Sequence, residues 1–82
     1  MTETEKVVYD LILPLVEDKD SVSVKTMPSL EDNEELIYVY AKPEDIARLI
    51  GRQGNMATAI RQVTSIVSRM KNKRVSVKFE SY

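Results

Sequence analysis

The sequence contains no cysteine and no histidine. Their absence excludes disulfide frameworks, thiol catalysis, zinc sites built from these residues, Ser-His triads and imidazole acid–base chemistry. No apolar run approaches the roughly 20 residues that a membrane span requires, and the first residues, MTETE, are acidic and unlike a secretory leader. These features predict a cytoplasmic protein that does not bind membranes.

The chain is also short, at 82 residues, and has only two glycines. Apolar residues make up 43% and charged residues 30% of it, which is typical of a soluble globular protein. A chain of this length forms one hydrophobic core rather than two. We therefore predict a single domain over residues 1–82.

Motifs of catalysis and cofactor binding are missing as well. No Gly-Lys-Ser or Gly-Lys-Thr follows the glycines, as a phosphate-binding P-loop would require. Residues 46–79 contain no carboxylate that could hold a metal or act as a general base. The sequence thus predicts a protein that is not an enzyme and uses neither a cofactor nor a metal.

The net charge of −1 conceals two opposed halves. Residues 1–35 hold three basic and ten acidic side chains, a net charge of −7, whereas residues 36–82 hold nine basic and three acidic ones, a net charge of +6. Such an asymmetry indicates an interaction surface. The acid-free stretch 46–79 predicts that this surface is basic and lies in the second half of the chain.

The first half reads as one helix and two strands. Apolar residues at helical spacing predict a helix over residues 3–17, capped by Thr2-x-x-Glu5 and bent near Pro14. Residues 21–26 and 36–41 alternate between polar and apolar side chains, as half-buried strands do, and an acidic turn over 28–34 separates them. In the second strand the apolar face holds Ile37, Val39 and Ala41, and the other face holds Tyr38 and Tyr40.

The second half reads as two helices and a strand. Proline and two acids at residues 43–45 open a helix with an apolar side formed by Ile46, Leu49 and Ile50, and this helix ends at Gly51. A second helix runs from Asn55 to about Lys71. Its apolar stripe steps 4, 3, 4, 3, which predicts a core-facing side made of Met56, Ile60, Val63, Val67 and Met70. Residues 75–79 alternate as a third strand.

The order α-β-β-α-α-β predicts a two-layer α+β fold. The first two strands can pair as an antiparallel hairpin, and the helical crossover between the second and third strands allows parallel pairing. Because all three strands alternate, one face of this three-stranded mixed sheet must be covered by helices while the other faces water.

Both glycines lie in the link between the last two helices, Gly51-Arg52-Gln53-Gly54. A glycine cap at Gly51 and close packing at Gly54 are two purely structural explanations. The spacing also suits close approach of a phosphodiester to bare backbone, next to the positively polarised N-terminus of the following helix. Arg52 and Gln53 would then project toward phosphate oxygens.

With this motif the chain resembles the KH domain family of single-stranded RNA and DNA binders, whose GXXG loop clamps about four nucleotides. Its element order is similar to the bacterial (type II) form, with a GXXG-containing core at about 43–71. Residues 45–54 and Ala59-Ile60-Arg61 resemble, in particular, the short stand-alone bacterial proteins of the KhpA (YlqC) type. This resemblance implies post-transcriptional regulation or RNA chaperoning linked to cell elongation, division and shape.

The resemblance also implies the site residues. Gly51, Arg52, Gln53 and Gly54 would hold the backbone of single-stranded RNA, with single-stranded DNA as an alternative ligand. The bases would lie in an apolar groove, with cations at its edge. These further candidates are Ile46, Ala47, Ile50, Asn55, Arg48 and Arg61, to which the second strand could add Ile37 or Val39, although a place in the core explains the latter two more simply.

Two other functions remain open at this point. By resemblance, KhpA-type proteins form homodimers and pair with a larger, multidomain KH protein of the Jag (KhpB) type, so the chain could act mainly as a protein-interaction module. A helix-turn-helix DNA binder is the other alternative, because Ala47-x-x-x-Gly51 before an arginine-bearing helix is similar to its turn. That fold would place Gly54 inside the recognition helix, at a cost of about 1 kcal/mol.

Overall fold

A computed structural model describes residues 2–27, 29–31 and 33–82, and at Arg52 it describes the backbone alone. Pro28 and Asp32, which belong to the predicted acidic turn, lie outside the described residues. The helices are α1 (Glu3–Ile12), α2 (Pro43–Ile50) and α3 (Asn55–Lys71), and the strands are β1 (Ser23–Met27), β2 (Glu34–Ala41) and β3 (Arg74–Ser81). The predicted α-β-β-α-α-β order is therefore confirmed. No helix within the described ranges is long and apolar enough to cross a membrane.

Helix α1 begins at the predicted capping box but ends earlier than predicted. The Thr2 N–H donates to Glu5 Oε1 at 2.7 Å, and the Glu5 N–H donates to Thr2 Oγ1 at 3.1 Å. The α-helix stops at Ile12, and a 3₁₀ turn follows over Leu13–Leu15. Pro14 lacks the N–H that would continue the α-helical ladder, so the chain tightens there instead of running on as one bent helix to residue 17.

The three strands form one sheet in the order β1-β2-β3. Strands β1 and β2 pair antiparallel, with Val24 opposite Val39, and β2 and β3 pair parallel, with Ile37 opposite Val77. Both pairings confirm the predicted mixed sheet. Strand β1 begins at Ser23 rather than Ser21, because residues 19–21 form a 3₁₀ turn.

The core lies between one face of the sheet and the helices. It contains aliphatic side chains from every helix and strand, namely Val8, Ile12, Val16, Val24, Ile37, Val39, Ala41, Ile46, Leu49, Ile60 and Val77. Tyr38 and Tyr40 alternate with the buried residues of β2 and so point to the opposite face of the sheet.

The orientation of α3 differs from the prediction. Ile60 is buried and Met56 and Val67 are half-buried, but Val63 and Met70 are exposed, so the prediction of a core position is wrong for these two residues. The buried side is instead centred on a set that includes two small residues, Ala57, Ile60 and Thr64. At about 100° per residue, this side lies about 70° around the helix from the centre of the apolar stripe. Part of the stripe therefore faces outward.

Candidate nucleic-acid interface

The backbone of the 51–54 turn is unusual at three of its four positions. Gly51 has φ 74° and ψ 176°, Gln53 has φ 57° and ψ 26°, and Gly54 has φ 77° and ψ 10°. The Gly51 N–H donates to Ala47 O at 2.9 Å, and the Gly54 N–H donates to Gly51 O at 3.2 Å. These bonds join α2 to α3 through a tight turn whose backbone lies mostly in the left-handed half of φ/ψ space.

Gly51 is required by packing as well as by conformation. A Cβ atom at this position would lie 2.6 Å from the Met56 Cβ and 2.9 Å from the Met56 backbone nitrogen. Its combination of positive φ and extended ψ is open essentially to glycine alone. Gly51 therefore allows the first turn of α3 to pack directly against the end of α2.

Gly54 is different because its surroundings are open. A Cβ atom built there would have no described neighbour within 4 Å, so close packing does not explain this glycine. Gly54 is the N-cap of α3, and among the described residues no side chain caps the helix. The Thr58 hydroxyl instead donates to Gly54 O at 2.9 Å. The result is bare backbone beside the N–H groups and the positive end of the helix dipole, a setting that favours an anion.

The predicted groove residues of α2 divide into two kinds. Ile46 belongs to the core, whereas Ala47 is exposed and Ile50 is 40% exposed. Ala47 and Ile50 are three residues apart and thus neighbours on one side of α2, directly before the turn. Asn55, the first residue of α3, is exposed on the other side of the turn. The structure therefore places a small apolar surface and a polar side chain next to the 51–54 backbone.

Arg48 is held by two carboxylates. Its Nη1 donates to Asp45 Oδ1 at 2.6 Å, and its Nη2 donates to Glu17 Oε2 at 2.9 Å. A phosphate contact by Arg48 would compete with this ion-pair network. Arg48 therefore contributes first to the connection between α2 and the segment that follows α1.

Arg61 lies against the edge strand β3. Its guanidinium carbon is 5.8 Å from the centre of the Phe79 ring, and its Nη2 donates to Val77 O at 3.5 Å. It lines a cleft between α3 and β3 together with Thr64 and residues 75–78. Ile37 and Val39, by contrast, are fully buried, so neither can contribute to a groove.

Part of the positive charge in the second half of the chain is neutralised by carboxylates of the first half. Lys73 Nζ lies 3.8 Å from Glu35 Oε1, and Arg74 Nη1 lies 3.7 Å from Glu34 Oε2 and 3.9 Å from Glu31 Oε2. The prediction of one basic surface over all of residues 46–79 is therefore wrong at this end of the sheet. The parallel pairing of β2 with β3 brings the start of β3 beside the acidic turn.

Asp45 has a role that sequence reasoning missed. Its side chain is 2% exposed, and its two oxygens accept the backbone N–H groups of Glu17 at 2.9 Å and Asp18 at 3.0 Å. These bonds, together with the Arg48 guanidinium, outweigh desolvation and lower the pKa of the Asp45 carboxyl below its usual value. An acid in the first turn of a helix is usually exposed, so only the tertiary structure reveals this connection between α2 and residues 17–18.

A mixed three-stranded sheet covered on one face by helices, with a Gly-x-x-Gly turn between the last two helices, defines a KH domain with the type II order. This arrangement also excludes the helix-turn-helix alternative, since Gly54 precedes α3 and three strands complete the fold. The chain belongs to the KhpA/KhpB family of KH domains, which matches residues 5–79.

Known proteins that are similar to this chain include one related in sequence and one related in fold. The RNA-binding protein KhpA of Lactiplantibacillus plantarum is 35% identical over an alignment 83 residues long. The alignment covers 98% of this chain and 92% of that protein. A crystal structure of Era from Aquifex aeolicus superimposes with a TM-score of 0.61 at 16% identity. The match covers 95% of this chain but only 29% of the Era chain, so it supports the fold alone.

Proposed function

We propose that this chain is a non-catalytic, single-stranded RNA-binding protein whose residues 1–82 form a single KH domain and whose 51–54 turn holds the sugar–phosphate backbone. The observation that carries the proposal is the open, positive-φ backbone of Gly54 at the N-terminus of α3. The similarity to a relative named as an RNA-binding protein supports it. In the cell we expect a cytoplasmic post-transcriptional regulator or RNA chaperone, with the link to elongation and division that the family resemblance implies.

Each part of the turn has a distinct task in this proposal. The N–H groups of the first turn of α3 bind phosphate oxygens, and Arg52 and Gln53 add side-chain donors. The exposed surfaces of Ala47 and Ile50 receive the bases. Asn55 offers a hydrogen-bonding side chain at the rim.

Binding of this kind is expected to be modest and sensitive to salt. A turn that holds about four nucleotides neutralises few phosphates, so the logarithm of affinity should fall with the logarithm of salt concentration with a slope of about −2 to −3. A duplex should bind more weakly than a single strand, because its bases are not available to the groove.

The test replaces both side chains between the glycines by aspartate, Arg52→Asp with Gln53→Asp. Two acids at the phosphate site should weaken the binding of a short oligouridine by at least about tenfold and reduce the salt slope by about one. Fluorescence anisotropy of a labelled oligonucleotide measures both quantities. Circular dichroism and thermal melting should remain those of the parent, since Gln53 is exposed and Asp is among the residues that tolerate its backbone conformation.

A matched control changes the net charge by the same amount at α1. Thr2→Asp with Lys6→Asp retains an N-cap residue and alters two exposed positions away from the turn. This control should bind RNA within about twofold of the parent. A folded turn variant that binds RNA as tightly as the parent would refute the assignment of the turn. Equal losses of RNA affinity in the turn variant and in the α1 control would show that net charge, and not the turn, determines binding.

A second candidate function is protein pairing through α3. Val63, Ile66 and Met70 occupy positions i, i+3 and i+7 on one side of the helix, and Ile66 is 56% and Met70 82% exposed. Exposed apolar rows of this kind mark interaction surfaces. We propose that this row, Val63-Ile66-Met70, packs against the same row of a second copy, or against a larger KhpB-type KH partner as the family resemblance implies.

Sedimentation tests the pairing of identical chains. The parent should sediment as a dimer at tens of micromolar, and Ile66→Arg should sediment as a monomer, because a charge at the centre of an apolar contact is not tolerated. Leu30→Arg is the matched control, since it charges an apolar residue that is even more exposed, in the loop between β1 and β2. A monomeric parent, or dissociation by both variants, would contradict pairing through the α3 row.

A further inference from the structure

The sheet face opposite the helices carries a stack of tyrosine rings. The rings of Tyr38 and Tyr40 are 6.2 Å apart at an interplanar angle of 20°, and those of Tyr40 and Tyr82 are 6.0 Å apart at 29°. Tyr82 is 67% exposed, and Tyr38 and Tyr40 are partly exposed. We call this set the tyrosine ladder. It runs along the central strand β2 and continues beyond the end of β3.

Lysines flank the ladder on both sides. Lys25 of β1 and Lys78 of β3 are the register partners of Tyr38, so the three side chains share one face of the sheet. Both lysines are exposed, and neither forms an ion pair within the described part of the chain. One acid, Glu80, lies opposite Tyr40. The centre of this face is therefore aromatic, with a cation to either side.

We propose that the tyrosine ladder is a second binding surface for single-stranded nucleic acid, separate from the 51–54 turn. Unpaired bases would stack on the tyrosine rings, while Lys25 and Lys78 would contact the phosphates. Aromatic platforms bordered by cations bind single strands with little sequence preference, because every base has a π face. A duplex has no exposed base faces to offer. Of the charged side chains in register with Tyr38 and Tyr40, Lys25 and Lys78 are cations and Glu80 is the one carboxylate, so the net positive charge of this part of the face complements a polyanion.

The two surfaces lie on different sides of the molecule. The 51–54 turn joins two helices of the layer that covers the sheet, and the ladder lies on the face away from that layer. One strand would have to pass around the edge of the sheet to reach both, so short oligonucleotides should occupy them independently. The ladder does not depend on the proposed role of the turn.

Tyrosine fluorescence provides a direct readout, because the chain has no tryptophan and the ladder holds three of its four tyrosines. In the Arg52→Asp, Gln53→Asp background, oligouridine should still quench this fluorescence at low salt, since stacked bases quench the ring they cover. Adding Lys25→Glu with Lys78→Glu should weaken the remaining binding by roughly tenfold. Lys6→Glu with Lys19→Glu is the matched control, with the same change of net charge outside the ladder, and should leave the quenching unchanged.

Photocrosslinking with a thiouridine oligonucleotide locates the contact independently of affinity. Crosslinked peptides that contain Tyr38, Tyr40 or Tyr82 support the ladder, whereas crosslinks confined to residues 46–61 overturn it. Absence of quenching in the turn variant, or equal loss in both lysine pairs, also overturns it. If the ladder lysines alter sedimentation but not quenching, the face joins protein chains and the proposal is wrong. If the turn assignment is wrong, the turn variant will bind the labelled oligonucleotide as tightly as the parent in the anisotropy experiment. That result does not depend on the lysine variants.

Discussion

Replacing Gly51 by alanine is expected to lower the free energy of unfolding by about 3 to 5 kcal/mol. A non-glycine residue with positive φ and extended ψ costs about 1 to 3 kcal/mol, and overpacking adds a similar amount. The overpacking is severe because the new Cβ would lie 2.6 Å from Met56 Cβ and 2.9 Å from the Met56 backbone nitrogen, which cannot move without shifting α3. A domain of this length has roughly 4 to 12 kcal/mol in total, so the loss is a large fraction of its stability.

Gly54→Ala is the matched comparison for this change. Both substitutions add one methyl group at a positive φ within the same turn, but no described atom lies within 4 Å of the Gly54 Cβ position. The cost should be about 1 to 2 kcal/mol, the strain of the left-handed conformation alone. Urea denaturation followed by circular dichroism measures both values. Equal losses would show that conformation, and not the contact with Met56, makes Gly51 indispensable.

The 51–54 turn could be predicted from the sequence only in part. The uniqueness and spacing of its two glycines are sufficient to predict a turn between two helices and its resemblance to the GXXG motif. The difference between the two glycines depends on tertiary packing, because only the structure shows which atoms of α3 approach the end of α2. Close packing therefore explains Gly51 but not Gly54, where the left-handed backbone alone favours glycine.

The sheet could be predicted more completely than the helices. Strict alternation separates the core-facing residues of each strand from the others, and the lengths of the connections allow the antiparallel pairing of β1 with β2 and the parallel pairing of β2 with β3. On α3 the apolar stripe is wider than the buried surface, so periodicity alone does not decide which part of it packs. The core accepts the small residues Ala57 and Thr64, leaving Ile66 and Met70 outside.

Ion pairs lie beyond sequence reasoning for a different reason. Arg74 meets Glu34, and Arg48 meets Glu17, only because strand register and helix packing bring distant segments together. The acid-free stretch therefore predicted more unneutralised charge than the fold presents. Asp45 is the clearest example, because its position suggests only a favourable contact with the dipole of α2.

Asp45→Asn should destabilise the protein markedly at neutral pH. The carboxylate accepts two backbone N–H groups and the Arg48 guanidinium, whereas an amide has a single oxygen and would turn its own N–H₂ toward one of these donors. Leaving a buried backbone donor without a partner should lower the melting temperature by roughly 10 °C in a domain of this size. Glu44→Gln is the matched control, since it removes the same charge from an exposed position in the same helical turn, and it should shift melting by about 2 °C or less.

The pH dependence of the melting temperature shows whether Asp45→Asn acts through the lost charge or through altered packing. Because folding lowers the pKa of Asp45, its stabilising effect is complete above the usual aspartate pKa of about 4 and is lost as the pH falls through that value toward the lowered folded one. The gap in melting temperature between the parent and Asp45→Asn should therefore narrow between pH 6 and about pH 3. The parent should converge on the variant, while Glu44→Gln follows the parent throughout. A gap that stays constant with pH would mean that the amide acts through packing, and that the ionised carboxylate is not what connects α2 to residues 17–18.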